Sequence, residues 1–274
     1  MLPTPRPEFF VPLFPLLVVF GLSGCVSMSG TGPENPDFAL THQSAKAELT
    51  RMHRQFVSFP RPILVLGGYL DPGMGPCVIR RELEKMDPEA VVIEVPFAGC
   101  GDFQDCVARL SEKVAARFPD PATVEVDVIG FSMGGLVAQL AARREYETVP
   151  LRIRRLYAIA TPFRGAEAAS RIPGVFRLQR EMRSDSPIIA ALCDFEPDFE
   201  IISYVRLGDR TIGFENAAPD GKTPRWLPTR AFQPNHHYAF FDKRIVAELA
   251  SQLRGEGGYS AESRPPVTRS SHHE

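Results

Sequence analysis

The segment from residue 124 to residue 144 limits this chain more than any other. Val124-Glu125-Val126-Asp127-Val128-Ile129 is a β-branched run with strand character. It leads without a break into Gly130-Phe131-Ser132-Met133-Gly134-Gly135, and a helical pattern starts at once at Met133. A strand that turns straight into a helix around one serine needs a sharp, strained corner. A Cβ two residues before or after that serine would crowd it, and Gly130 and Gly134 meet the need. Such a corner holds the Ser132 hydroxyl clear of the sheet, above a helix N-terminus that favours developing negative charge. Ser132 is therefore the candidate nucleophile. Gly-x-Ser-x-Gly alone is a weak signal among 21 glycines, and the flanking strand and helix give it weight.

The alternation of strand and helix extends on both sides. Residues 38–56 read as a leading helix, and Ile63–Leu66 as a buried strand ended by Gly67-Gly68. A helix over 77–86, a strand over 90–95 closed by Pro96, and a helix over 102–118 follow. Beyond the serine corner come strands at 153–160 and 200–207 and a last helix over 242–253. This order predicts an α/β fold, with a mostly parallel central sheet and helices on both faces. Pro162, Pro173, Pro187 and Pro197 break the intervening stretch into short helical pieces, which predicts a small helical cap insertion at about 163–200. A chain of 274 residues, 44% hydrophobic, can bury one sizeable core. Its formal net charge of −2 and lack of a long basic run argue against a nucleic-acid partner.

Gly-Phe-Ser-Met-Gly-Gly resembles the Gly-His-Ser-Met-Gly-Gly elbow of bacterial lipases and esterases of the α/β-hydrolase superfamily, and the resemblance runs in motif order over about 60–253. It implies a serine hydrolase that cleaves carboxylic esters through an acyl-enzyme, acting on an ester or lipid-like small molecule without metal or organic cofactor. A thioesterase, an amidase or a phospholipase would use the same residues, and a non-catalytic lipoprotein that keeps the fold is the alternative from another class. The resemblance places one oxyanion donor at the Met133 N–H. The other falls at Tyr69, because Gly67-Gly68-Tyr69 matches the family's His-Gly-x with Gly67 in place of the histidine. Asp71 reads as a cap of the next turn. The strand over 201–207 ends in Gly208-Asp209, followed by Arg-Thr-Ile-Gly, which resembles the family's Gly-Asp-x-x-Val turn and implies Asp209 as the acid. Asp194, Asp198 and Asp220 are weaker because none ends a strand. Of the six histidines, His42 and His53 precede the first core strand and two lie in the tail, which leaves His236 and His237. The family's His-x-small-apolar-apolar pattern favours His237, with Ala239, Phe240 and Phe241, and His236 is the alternative one register away. Ala160-Thr161-Pro162-Phe163-Arg164-Gly165 resembles the family's Thr-Pro-His-x-Gly segment and receives no chemical role.

Residues 1–24 read as a targeting segment. Arg6 precedes an apolar stretch over 9–20 that Pro12 and Pro15 interrupt, too short to span a membrane. Leu22-Ser23-Gly24-Cys25 resembles the lipobox of bacterial lipoproteins, which implies cleavage before Cys25 and a diacylglyceryl group on its thiol. An ordinary secretory signal and an uncleaved anchor are the alternatives. Val26, rather than Asp, after the cysteine implies the outer membrane, facing the periplasm, in a Gram-negative cell. The expected organisation is a lipoprotein signal peptide at 1–24, a tether at 25–36, a hydrolase domain at 37–254 and a disordered tail at 255–274. Export would allow Cys77, Cys100, Cys106 and Cys193 to pair. Cys100 and Cys106, flanking one short loop, are the simplest pair to bridge, and buried free thiols are the other reading.

Overall fold

The computed structural model describes residues 38–147, 149–171, 173–229 and 233–260. The expected signal peptide, Cys25 and the expected tether, together with residues 261–274, lie outside the described residues. The chain opens with helix α1 (His42–Arg54), capped by Thr41, whose hydroxyl accepts from the Ser44 N–H. There follow β1 (Ile63–Leu66), α2 (Met74–Met86), β2 (Val92–Val95), α3 (Phe103–Arg117), β3 (Glu125–Phe131), α4 (Met133–Ala141) and β4 (Arg152–Ile159). Three short helices, α5 (Glu167–Arg171), α6 (Arg177–Glu181) and α7 (Pro187–Cys193), lie between β4 and β5 (Glu200–Arg206) where the prolines predict broken helix. The chain ends with β6 (Arg225–Leu227), α8 (Asn235–Ala239) and α9 (Lys243–Leu253).

The six strands form one sheet in the order β2-β1-β3-β4-β5-β6, and each of the five pairings is parallel. Burial on both faces explains the unbroken apolar runs: all four residues of β1 and all but the first of β3 are buried. Helices α1, α2 and α9 pack together, and α3 packs with α4, so the sheet is covered on both faces. Helix α4 is buried along its whole length, as expected of a helix apolar on every side.

Strand order reverses between β1 and β3. The chain leaves β1 toward β2 on one side and returns through α3 to β3 on the other, opening a crevice at the carboxyl ends of these two neighbours. Their register pairs Leu66 with Gly130, which brings the Gly67-Gly68 turn beside Phe131 and Ser132.

Three features lie outside the expected pattern or decide between its alternatives. Strand β6 has only three residues and no apolar run to announce it. Residues 255–260, which composition assigns to the tail, are fixed to the domain: the backbone N–H groups of Tyr259 and Ser260 donate to Glu248 at 3.1 and 3.2 Å, and Tyr259 Oη donates to Glu48 at 2.7 Å. The Ala39 N–H in turn donates to Ser260 Oγ at 3.3 Å. Cys100 and Cys106 are buried free thiols rather than a disulfide. Burial, with Cys100 alongside, pushes the Cys106 thiol far above its ordinary range.

Glu248 is fully buried and also accepts from Arg225 Nη1 at 2.6 Å, so one carboxylate ties α9 to β6 and to residues 259–260. Removing it takes the carboxylate away from Arg225, whose remaining partner is the Tyr204 hydroxyl at 3.2 Å, and from two backbone donors. Glu248→Ala should therefore cost about 3–5 kcal/mol in urea unfolding and expose the chain beyond residue 254 to limited proteolysis.

Candidate active site

At the end of β3, Ser132 adopts φ 51° and ψ −123°, a left-handed conformation that costs a non-glycine residue on the order of 1–3 kcal/mol. The surroundings hold it there. The Ser132 N–H donates to the Ile159 carbonyl of β4 at 2.8 Å, and the Gly135 N–H donates back to the Ser132 carbonyl at 3.2 Å. Close approach explains the flanking glycines: a Cβ on Gly130 would lie 2.7 Å from the Gly135 backbone, and one on Gly134 would lie 2.6 Å from the Gly67 carbonyl oxygen. A Cβ on Gly135 would strike Thr161 Oγ1 at 2.2 Å, so the Thr161-Pro162-Phe163 segment packs directly on the corner.

Asp209 and His236 arrive from the other half of the sheet. After β5 the chain turns through Gly208, at φ 84°, into Asp209. Asp209 Oδ1 accepts from the Thr211 and Ile212 N–H groups at 3.0 and 3.4 Å, which leaves Oδ2 for His236 Nδ1 at 2.9 Å. His236 Nε2 lies 3.0 Å from Ser132 Oγ. Ser132, His236 and Asp209 are 7%, 7% and 1% exposed, so the line of three is screened from bulk water. The Phe131 ring packs against the imidazole at 5.1 Å between centroids and against Phe240 at 5.0 Å, giving His236 an apolar wall on one side.

The register favoured by resemblance is therefore displaced by one residue: His236, not His237, faces Ser132. The reason is helical geometry. Each step along α8 turns a side chain by about 100°, so adjacent histidines cannot face the same way. Asn235, His236, Ala239 and Phe240 form the buried face, while His237, Tyr238 and Phe241 point outward. His237 lies edge-on to His236 at 5.5 Å, and partial burial together with that neighbour lowers its pKa. The spacing of Ala239 and Phe240, three and four residues after His236, is a sequence signal that points to His236.

The remaining candidates fall where their environments put them. Met133 opens α4, and its N–H is one of the four at a helix start without a partner inside the helix. Gly68 packs on Phe131 and Ser132, with a Cβ there only 3.4 Å from Ser132 Cβ, and Tyr69 follows it in a turn closed by the Asp71 N–H to the Gly68 carbonyl at 3.2 Å. Burial raises the Tyr69 phenol above its usual pKa. Asp71 caps the next turn, as the sequence suggests: its Oδ1 accepts from the Gly73 and Met74 N–H groups at 2.7 and 3.0 Å. Asp194 and Asp198 are exposed, Asp220 faces Arg164 at 3.6 Å, and His53 pairs with Glu82 at 3.2 Å. Among the described residues no group of three or more His, Cys, Asp or Glu side chains could hold a metal ion.

One positioning feature carries no sequence signal. Arg206 Nη1 of β5 donates to Asp242 Oδ2 at 2.9 Å, and both residues are buried. Asp242 also accepts from Arg244 Nη2 at 2.7 Å; burial alone would raise its carboxyl, but the two guanidiniums hold it below the usual carboxylate range. The pair ties the strand that precedes Asp209 to the chain just beyond α8.

A carboxylate on one imidazole nitrogen and a serine hydroxyl on the other can take the hydroxyl proton as the oxygen attacks an electrophilic carbon, then return it to a leaving group. No protein-family model matches the sequence, and no curated protein sequence matches it. Among solved structures the chain is similar to Bacillus licheniformis lipase BlEst2 in its mature form, at TM-score 0.54 and 13% identity over 73% of this chain and 94% of that one. The propeptide form of that lipase also gives TM-score 0.54, at 12% identity over 76% of this chain and 52% of that one. Together with the parallel six-stranded sheet, this similarity establishes the α/β-hydrolase fold.

The reserved space at Gly134 is open to a direct check. Gly134→Ala should destabilise the fold by about 1–3 kcal/mol or more, because backbone oxygens must move, whereas Met133→Leu should cost less than about 1.5 kcal/mol in thermal unfolding.

Proposed function

We propose that this chain is a serine hydrolase that cleaves carboxylic esters through an acyl-enzyme, as lipases and esterases do. The observation that carries the reading is the buried hydrogen-bonded line from Asp209 through His236 to Ser132, at the carboxyl edge of the sheet where strand order reverses. Ser132 Oγ attacks the acyl carbon while His236 Nε2 takes its proton. Asp209 Oδ2 holds the Nδ1–H and stabilises the imidazolium that forms. The Met133 and Tyr69 N–H groups receive the oxyanion. Collapse of the tetrahedral intermediate expels the alcohol, protonated by His236, and water reverses the sequence to release the acid. No step calls for a metal or an organic cofactor.

The substrate class in this reading is an ester or lipid-like small molecule, supported by the likeness in fold to a protein described as a lipase. The enzyme works in the cell envelope. A diacylglyceryl group on Cys25, inferred from Leu22-Ser23-Gly24-Cys25, anchors it to the membrane, in a Gram-negative cell to the outer membrane facing the periplasm.

A fluorophosphonate probe should label Ser132 in the folded protein, and Ser132→Ala should abolish both labelling and ester hydrolysis. His236→Ala should lower kcat by about 10^4- to 10^6-fold, and His237→Ala by less than about tenfold. Equal losses at the two histidines, or hydrolysis that survives Ser132→Ala, would overturn the assignment. Activated esters of increasing acyl length, run beside matched thioesters and amides, identify the bond that is cleaved; faster turnover of thioester or amide would replace the ester reading. Mass spectrometry of membrane-extracted protein should find a diacylated N-terminal peptide beginning at Cys25, and Cys25→Ala should release the protein from the membrane fraction. A mature terminus elsewhere removes the anchor.

A further inference from the structure

The turn after β1 is built differently from the corner at Ser132. Leu70 stands at φ 58° with an ordinary side chain, a conformation that a leucine holds only when its neighbours impose it. Those neighbours converge on the next residue, Asp71. Its N–H closes the turn on the Gly68 carbonyl at 3.2 Å. Its carbonyl accepts from the Phe97 and Ala98 N–H groups at 3.2 and 3.1 Å, which ties the turn to the loop after β2. Its Oδ1 accepts from the Gly73 and Met74 N–H groups at 2.7 and 3.0 Å, which ties it to the start of α2. The rest of the carboxylate lies beside two glycines: a Cβ on Gly67 would sit 3.1 Å from Asp71 Cβ, and one on Gly75 would sit 2.9 Å from Asp71 Oδ2. The Asp71 side chain thus fills the space that Gly67 leaves empty behind the turn.

We infer that Asp71 is a positioning residue for the oxyanion side of the site, fixing the Gly68–Leu70 turn so that the Tyr69 N–H stays directed at the oxygen that develops over Ser132. The inference rests on the proposed ester hydrolysis and adds to it the group that holds the second oxyanion donor. In this role Asp71 is not a group that touches substrate. It acts through backbone bonds that three segments share, so its effect falls on the transition state and leaves ground-state binding alone.

The test compares wild type with Asp71→Ala, Asp71→Asn and Asp71→Glu in the full chain, using an activated short-chain ester and the rate of fluorophosphonate labelling, with thermal unfolding to verify that each variant is folded. Asp71→Ala should lower kcat by about 10- to 100-fold and slow labelling, with KM within about threefold of wild type. Asp71→Asn, whose amide oxygen can accept the same two N–H groups, should restore kcat to within about fivefold. A loss that merely reflected a loosened fold would raise KM and would not follow the acceptor. If Asp71→Ala does not fold, Asp71→Glu decides, because it keeps the charge but moves the acceptor out by one methylene. It should lose at least about tenfold in kcat, with KM held. A kcat near wild type in Asp71→Ala, or in Asp71→Glu where it decides, overturns the role of Asp71. So does a loss in Asp71→Asn equal to that in Asp71→Ala. Wild type that is neither labelled at Ser132 nor active on any ester overturns the proposed reaction and this role with it, whereas labelled, active wild type with unaffected Asp71 variants removes this role alone.

Discussion

A left-handed backbone at Ser132 is sustained by contacts that leave no slack. Gly130 and Gly134 let β3, α4 and the turn after β1 touch backbone to backbone, and the Ser132 N–H reaches across to β4. Among the described residues two other non-glycine residues have positive φ, Leu70 at 58° and Ala160 at 49°. All three follow strands, β1, β3 and β4, at the carboxyl edge of the sheet. Ala160 is held by its N–H to the Tyr204 carbonyl at 2.7 Å, so the strain at one strand end is supported by the next strand over. Strain of this kind persists only where surrounding structure over-determines it, and here the parallel sheet does so.

The second half of the site depends on charge rather than on close backbone contact. Asp209 spends one oxygen on the backbone of its own turn and keeps the other for His236, so its orientation is set before the histidine arrives. The histidine is brought in by α8, a helix of five residues that could not stand alone. Arg206 and Asp242 supply what the helix lacks, joining β5 to the chain on the far side of α8. A buried ion pair of this sort adds little net stability against an apolar pair, but losing one member leaves an unpaired buried charge. Its value here is in geometry.

The strands with continuous apolar runs were legible from sequence because both faces of a parallel sheet are buried, and the Ser132 corner was legible because only glycine fits beside it. Asp209 could be read because a strand end followed by Gly-Asp is a local pattern. What escaped depends on contacts distant in sequence. Strand β6 is too short for its own periodicity and exists because β5 offers an edge. Residues 255–260 look like tail by composition, yet Glu248 and Glu48 capture them. The choice between His236 and His237 lay in between: resemblance pointed one way, and the apolar spacing along α8 pointed the other.

The hydrogen bond from the Ala39 N–H to Ser260 Oγ brings the two ends of the described domain to within a single contact of each other. Ends that meet make the described domain nearly a closed ring. A short linker could join them, and new termini could then be opened in a surface connection such as the one between α3 and β3 without unthreading the sheet. The same closure means that a segment joined directly after Ser260 starts beside the residues that precede α1, on the flank formed by α1 and α9.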